Sequence, residues 1–373
     1  MPQVRKQVTA EAVRTGEVPA VMKAGVYRGK GALQVEWVEV PALEPGEILI
    51  RVEACGVCIT DVKKIQKDLL PPPRIFGHET AGVVAKVADG VSGWKVGDRV
   101  VVFHHIPCGH CFYCQRKLFA QCPTYKKVGV TAGFEPSGGG FAEYVRVRDW
   151  IVKRGLVRIP AGVSFEHASF LEPVNTCLKG IRRAGIEPWE TVLILGQGPI
   201  GLLLLLLARR VTELVYTSEP VAERREYSLR FGAARAFDPK SANLPKEMKA
   251  LTEGRGADVA IVAAAAPSLV EQAIQAVRPG GRVALFAQTS PDEILNVNGA
   301  SICVEERTLL GSYSADVEMQ EESAALVFSG ELPVGELITH HFGLSDIREA
   351  VLLASSQSGR SLKIILHPQL AGA

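Results

Sequence analysis

Cys58, His78 and Glu79 bring three metal-binding side-chain types into one short stretch of the chain. Zn²⁺ accepts thiolate, imidazole and carboxylate together, and a catalytic zinc keeps one position open for substrate or water. Thr60 follows Cys58 by two residues. Its hydroxyl would stand beside that open position and could move a proton there. Asp61 could hydrogen-bond His78 from behind and set its orientation. The competing reading is plainer: a cysteine buried in a small apolar strand and a His-Glu pair on the surface.

A second cysteine set lies downstream. Cys108, Cys111, Cys114 and Cys122 follow a C-x2-C-x2-C-x7-C spacing in a polar segment poor in core residues. Four thiolates close a tetrahedral zinc shell with no open position, as in a structural site. A four-cysteine iron–sulfur cluster is the competing reading. His104, His105 and His110 lie nearby and read as surface or supporting residues.

A third pattern concerns phosphate. Residues 191–195 form a short apolar run, followed by Gly196, Gln197, Gly198, Pro199, Ile200 and Gly201, and then a leucine-rich helix. Strand, G-x-G-x-x-G and helix make the dinucleotide-binding fingerprint. Its glycines allow a tight turn, close approach of the pyrophosphate and close helix packing. A further strand at 214–217 leads to Glu219, where a carboxylate would meet the adenosine ribose hydroxyls. Arg224 follows at a spacing that would lay its guanidinium near the adenine side. Arg224 and Arg225 are also the residues that could bind an additional phosphate.

These residues need two kinds of scaffold. From Met22 to about residue 102 the chain alternates, is rich in β-branched residues, and is punctuated by Pro41, Pro45-Gly46, Asp89-Gly90 and Gly97-Asp98. This predicts a small antiparallel β-barrel whose glycine-rich corners carry the metal residues. Residues 137–140 read as a flexible turn entering a strand, and 168–180 as a helix. After Pro188 strands and helices alternate: strands at 259–263 and 282–287, a helix at 268–277 between them, and a turn at Pro279-Gly280-Gly281. A βαβ series predicts a doubly wound parallel sheet. The fold class expected is therefore α/β, with a β-barrel domain and a Rossmann-type cofactor domain.

The chain has 373 residues, 47% hydrophobic and 22% charged, with a net charge of +2. That length suggests two domains. The near-neutral charge gives no footprint for nucleic acid or a membrane surface. The apolar stretch at 192–208 is short for a membrane span and is interrupted by glycines and a proline. The N-terminus carries no apolar signal region, so a cytoplasmic location is expected. Eight cysteines in such a chain read as metal ligands or core residues rather than disulfides.

With these motifs in hand, the chain resembles the zinc-dependent medium-chain dehydrogenases, especially the sorbitol, polyol and threonine dehydrogenase branch. The resemblance covers about residues 22–368. It rests on Cys55 to Asp61, Gly77-His78-Glu79, Gly97 to Val100, the four-cysteine lobe, Leu171-Glu172-Pro173 and Gly196 to Gly201. It implies a GroES-like catalytic domain at 22–172 and 312–373, with a zinc lobe at about 104–125. A Rossmann domain is expected at 173–311 and an N-terminal extension at 1–21. It implies that Cys58 and His78 bind the catalytic zinc, with Glu79 and Glu172 competing for the remaining coordination. The four-cysteine lobe matches the family's structural zinc site. It also implies a homodimer or homotetramer formed through the edge of the cofactor-domain sheet, near residues 302–310.

Two departures stand out. Val62-Lys63-Lys64 occupies the neighbourhood where some relatives carry a relay histidine, and Lys179 stands where some polyol enzymes have histidine. The expected function is reversible, NAD-linked oxidation of a secondary alcohol, polyol or sugar-type hydroxyl to a ketone. It would use two zinc ions per chain, with NADP as the alternative cofactor. Three readings compete: a threonine or sugar-phosphate dehydrogenase of the same family, a zinc-free enoyl or quinone reductase, and a non-enzymatic dinucleotide-binding redox protein.

Overall fold

The computed structural model describes residues 18–127, 129–134, 138–289, 292–356 and 361–370. The expected extension at 1–21 lies outside the described residues except for its end, as does Ser137. The chain divides into two compact units. One takes residues up to 170 together with 340–355 and those from 364 onward; the other takes 171–339 and 356–363.

The first unit is built on antiparallel pairing. Strand Ile48–Gly56 lies at its centre, bonded to Glu79–Val87 on one side, Lys363–His367 on the other, and Tyr144–Val147 along its first half. Arg99–Val102 and Leu156–Arg158 extend the sheet. A smaller sheet runs Ala32–Glu39, Val21–Gly29, Arg74–Ile75. Two register shifts, between Leu49 and Ile50 and between Val52 and Ala54, interrupt the pairing of the central strand with Glu79–Val87. Such irregularities bend a strand and increase its twist, the device by which a sheet curls.

Helix Ile59–Gln66 follows the central strand after a two-residue gap, with Cys58 as its N-cap residue. Its buried side is Asp61, Val62 and Ile65. Thr60 is therefore a helical residue of the first turn, on the exposed side.

The second unit holds six parallel strands in the order Arg235–Phe237, Val215–Ser218, Val192–Leu195, Ala257–Val262, Val277–Leu285, Thr308–Gly311. The chain begins in the middle, winds to one edge and then to the other, which is the doubly wound dinucleotide-binding order. Val192 to Leu195 are fully buried, as a central strand covered on both faces must be. The leucine helix is Pro199–Ala208, with Leu202 to Leu205 and Leu207 all buried. Its apolarity serves the core, and among the described residues no helix is long and apolar enough to cross a membrane.

Several expected elements differ in detail. The helix read at 168–180 is two helices, Phe165–Ala168 and Leu171–Ala184, and the unit boundary falls between them. Pro279-Gly280-Gly281, read as a turn, is strand instead. It lies within Val277–Leu285, where the register shifts against the neighbouring strand. The strand expected from 302 is shorter: Gly299–Cys303 is helical, and only Thr308–Gly311 joins the sheet, at its edge.

The return to the first unit comes at residue 340 rather than 312. The reason is a buried clamp. The side chain of Asn175, fully buried, donates to the carbonyl of Asp316 (3.0 Å) and accepts from its N–H (2.7 Å). Lys179, one helical turn further on and on the same buried face, donates to the carbonyls of Tyr313 (3.0 Å) and Ala315 (3.4 Å). Burial lowers the pKa of this lysine. Residues 313–316 are thus held on helix Leu171–Ala184, and helix Gln320–Phe328 stays in the second unit with them.

Asn175→Ala should expose this dependence. It leaves the Asp316 N–H and C=O without their partner in a dry site, which costs about 1–3 kcal/mol. The urea midpoint should fall accordingly, and amide exchange at 313–316 should accelerate. Unchanged exchange there would show that other contacts hold the segment.

Candidate active site and metal centres

The first ligand set is assembled by a strand end, a helix start and a glycine corner. Cys58 caps helix Ile59–Gln66, and His78 and Glu79 stand where strand Glu79–Val87 begins. Their ligand atoms all lie within 4.8 Å of one another. Glu79 is buried, while Cys58 and His78 are half-buried.

Asp61 completes this group from behind. It is fully buried, and its Oδ2 accepts from His78 Nδ1 at 2.8 Å and from the Gly77 N–H at 3.1 Å. Lys64 Nζ stands 3.7 Å from its other oxygen. Burial alone would raise the Asp61 pKa; His78, Lys64 and the Gly77 N–H overcome it and hold the carboxyl below its usual range. For His78 burial acts downward, but Asp61 and Cys58 override it and push the imidazole well above its ordinary value. The field at His78 therefore favours a positive charge. With Nδ1 bonded to Asp61, Nε2 is the nitrogen left for a cation, which is the carboxylate–histidine arrangement of metal sites.

A glycine floor makes this corner possible. Gly77 has φ +99°, and a Cβ there would meet Phe141 Cδ1 at 2.6 Å and Cys55 Sγ at 2.9 Å. Gly138 also has φ +99°, and its Cβ would meet the Gly77 carbonyl oxygen at 2.5 Å. The two segments are bonded backbone to backbone: Gly139 N to Ile75 O (3.1 Å), Gly140 N to Gly77 O (2.9 Å), Phe141 N to Phe76 O (2.8 Å). The run read from sequence as a flexible turn is thus a packed support under His78. Cys55, despite its place in the Cys55–Cys58 pair, is a core residue. It is fully buried near Thr80 Oγ1 (3.7 Å), and burial pushes its thiol up to about 12.

Thr60 lies exposed at the helix start, two residues from Cys58. His104, read as a supporting residue, packs edge-on against His78 with ring centroids 5.6 Å apart. Glu172 belongs to the second unit, in the first turn of helix Leu171–Ala184. There Thr176 Oγ1 approaches its carboxylate at 3.3 Å.

The four-cysteine lobe forms a second set, with all four sulfurs within 4.8 Å of one another. Cys111 Sγ to Cys114 Sγ is 3.5 Å and Cys108 Sγ to Cys114 Sγ is 3.9 Å. A tetrahedral shell with Zn–S of about 2.3 Å has sulfurs about 3.8 Å apart. The cysteines are free thiols. Burial would raise Cys122, but the N–H groups of Cys108, Tyr125 and Thr124 outweigh it and bring its thiol down to about 6. Backbone donors thus already stabilise a thiolate there. His110 and His105 are turned to other partners, the Cys108 carbonyl (3.1 Å) and the Tyr125 ring (4.9 Å between centroids).

In the second unit the glycine turn takes the form its spacing predicts. Gly196 has φ +95°, and a Cβ on Gly201 would lie 1.9 Å from the Gly196 carbonyl oxygen. A Cβ on Gly198 would meet nothing within 4 Å. The first and third glycines are demanded by the protein's own packing, and the second keeps open the space above helix Pro199–Ala208. Pro199 is the first residue of that helix, and Ile200 follows, half-buried, in its first turn. Gln197 packs its side chain into the turn. It is fully buried, its amide donates to the Gly196 carbonyl (2.9 Å) and accepts from Ser228 Oγ (3.3 Å), and its backbone N–H is taken by Glu219.

Glu219 is buried and spans the turn: Oε2 accepts from Gln197 N (2.7 Å) and Oε1 from Val221 N (3.0 Å). Each oxygen keeps a lone pair for a further donor. Arg224 Nη2 donates to the Ser361 carbonyl at 3.3 Å. The arginine that touches Glu219 is Arg225, through the Glu219 carbonyl (2.7 Å), with Asp238 on its other side (3.3 Å).

The chain is similar to known proteins along most of its length. An alcohol dehydrogenase GroES-like domain matches residues 44–160 and a zinc-binding dehydrogenase domain matches 199–329. The chain is 34% identical to the L-threonine 3-dehydrogenase of Pyrococcus horikoshii, over 93% of this chain and 97% of that protein. It is 29% identical to the sorbitol dehydrogenase of Bacillus subtilis, over 95% of this chain and 99% of that protein. Among solved structures, an NADP-bound zinc-binding dehydrogenase from Sinorhizobium meliloti superposes with a TM-score of 0.84 at 28% identity, over 94% of this chain and 100% of that one.

Asp61→Asn tests the arrangement behind His78. The variant keeps the shape but removes the anion, and changes to such supporting groups typically weaken metal binding 10–100-fold. Competition against a chelating dye should show zinc lost from one site while the four-cysteine site holds. Equal zinc retention in variant and parent would mean that Asp61 does not tune His78.

Proposed function

The chain belongs to the zinc-dependent medium-chain dehydrogenase family, in the branch of the polyol and threonine dehydrogenases, and from that premise we propose reversible, NAD-linked oxidation of a secondary hydroxyl, on a polyol, an amino alcohol or a sugar, to a ketone. The observation that carries this reading is the Cys58, His78 and Glu79 set with the buried Asp61 carboxylate behind His78. Zinc bound there would supply Lewis acidity that lowers the pKa of a substrate hydroxyl. Cys58 and His78 would hold the cation, and Glu79, or Glu172 as the family resemblance implies, would take the remaining position. Asp61 fixes the His78 tautomer. Thr60 takes the hydroxyl proton on Oγ1 and passes its own outward to water; its exposure on the first helical turn suits that exit. A nicotinamide bound by the second unit would supply the acceptor for the carbinol hydrogen and its electron pair, a two-electron oxidation of the substrate.

The residues of the second unit fit the cofactor. Gly198 leaves room for a pyrophosphate at the start of helix Pro199–Ala208, where the helix N-terminus favours anions. Glu219 retains acceptor capacity for ribose hydroxyls and would repel a 2′-phosphate. Arg225 is held by Glu219 and Asp238, which leaves the pair of arginines a poor phosphate site. NAD is therefore the cofactor favoured over NADP. The four-cysteine lobe would hold a second, structural zinc, giving two per chain at these sites. The edge strand Thr308–Gly311 suits pairing with a second copy, giving a homodimer or a homotetramer. A reducing cytoplasm suits a lobe of free thiols.

A screen of polyols, secondary alcohols, amino alcohols and sugar phosphates with both cofactors, read by reduced-nicotinamide absorbance, tests the reading. kcat/KM should favour NAD by about tenfold or more, the scale of one 1.4 kcal/mol repulsion; a preference for NADP would reject the role given to Glu219. Thr60→Val keeps shape and removes the hydroxyl. It should keep zinc and NAD binding while kcat falls by roughly 10²-fold, the usual scale for losing a proton-transfer group. Near-parental turnover would reject the relay and leave the metal assignment standing.

A further inference from the structure

A third group of metal-binding side chains lies in the first unit, away in sequence from both sets above. Glu166, His341 and His367 bring a carboxylate oxygen and two imidazole nitrogens within 4.8 Å of one another. Sequence reading had no access to it, because its members come from helix Phe165–Ala168, strand Ile338–Gly343 and strand Lys363–His367.

The geometry fixes which atoms are available. His367 Nδ1 stands 3.1 Å from the Glu53 carbonyl oxygen. A carbonyl only accepts, so Nδ1 carries the hydrogen and Nε2 carries a lone pair. That lone pair faces His341 Nδ1 at 2.9 Å, and Glu166 Oε1 lies 3.9 Å from the same His367 Nε2. In a tetrahedral zinc site with bonds of about 2.0–2.1 Å, neighbouring ligand atoms stand about 3.3–3.5 Å apart. The two measured separations bracket that value, so a cation needs only a few tenths of an ångström of adjustment from each. His367 also has the support typical of a metal-bound histidine, its second nitrogen bonded to a backbone carbonyl. His367 and Glu166 are half-buried and set in place, while His341 is exposed.

We propose that Glu166, His341 and His367 form a third metal site of the chain, for a divalent zinc-class cation. Three protein ligands leave one position for water. On binding, the hydrogen that His341 Nδ1 shares with His367 Nε2 moves to His341 Nε2 on the solvent side, so both imidazoles ligate in the neutral form. Two histidines and a carboxylate select Zn²⁺ and its later first-row neighbours over Mg²⁺ and Ca²⁺, which prefer all-oxygen shells.

The position gives the site a use. The chain leaves the first unit after residue 170 and returns at residue 340. Glu166 lies just before the exit, His341 just after the return, and His367 on the last strand. A cation bound by all three ties the outgoing and incoming connections to the same sheet edge, and so limits fraying of the closing strand. Ligands far apart in sequence also close a long loop, the case in which a metal clip stabilises most.

The test uses the full-length protein loaded with Zn²⁺, freed of excess metal by gel filtration, and compared with His341→Ala. His341 is exposed, so its loss should not disturb folding. Elemental analysis should find one zinc fewer per chain in the variant. Added Zn²⁺ should raise the melting temperature of the parent but not of His341→Ala or Glu166→Gln. Co²⁺ added after the two cysteine-containing sites are filled should give d–d bands without the thiolate charge-transfer bands that cysteine ligation brings. Equal zinc content in parent and His341→Ala would overturn the proposal and leave a hydrogen-bonded histidine pair. A zinc-induced melting shift that persists in both variants would overturn it as well.

Discussion

A buried carboxylate governs the first unit. Asp61 has no exposed surface, yet it is held in its charged form by His78, Lys64 and the Gly77 N–H. An ion removed from water costs several kcal/mol unless its neighbours replace the lost hydration. That requirement dictates the local architecture. The helix must start immediately after Cys58 so that Asp61 points inward, and the chain must turn at Gly77 so that its N–H and the next imidazole both reach one oxygen. The result is a histidine whose nitrogen is aimed and whose surroundings favour positive charge, beside a thiol and a second carboxylate.

A similar solution appears in the second unit with a different purpose. Glu219 is buried, and its two oxygens accept the N–H groups of Gln197 and Val221. It thereby joins the glycine turn to the end of the neighbouring parallel strand, Val215–Ser218. The acid expected to meet a ribose also braces the turn that would meet the pyrophosphate. Replacing it would disturb two recognition elements at once, so its contribution to selectivity and its contribution to order are coupled. Comparison of Glu219→Gln with Glu219→Ala separates them in principle, because the amide oxygen can still accept one of the two N–H groups.

What was legible in the sequence follows from distance along the chain. Cys58, Asp61, His78 and Glu79 lie close together, as do the four lobe cysteines and the glycine turn, and a local motif carries its own geometry. The alternation of strands and helices after Pro188 predicted the parallel sheet because burial on both faces writes itself as unbroken apolar runs. The misreadings came where tertiary contacts decide. Gly138 to Gly140 looks flexible because glycine permits it, but here glycine is required by contact with Gly77 and the residues beside it. Residues 313–316 look like a return to the first unit, and only Asn175 and Lys179, on a helix far upstream, hold them in the second.

Lys179 shows how such a contact changes the functional reading. At a position where some polyol enzymes carry histidine, this chain has a lysine whose ammonium is buried against two backbone carbonyls. A buried ammonium needs acceptors in fixed places, and the carbonyls of Tyr313 and Ala315 supply them. A histidine is shorter and offers at most two donors, so it could not span both carbonyls in the same way. The lysine at this position therefore serves the packing of the 313–316 segment. Beside the first ligand set, His104 packs edge-on against His78 and fixes the other flank of that ring.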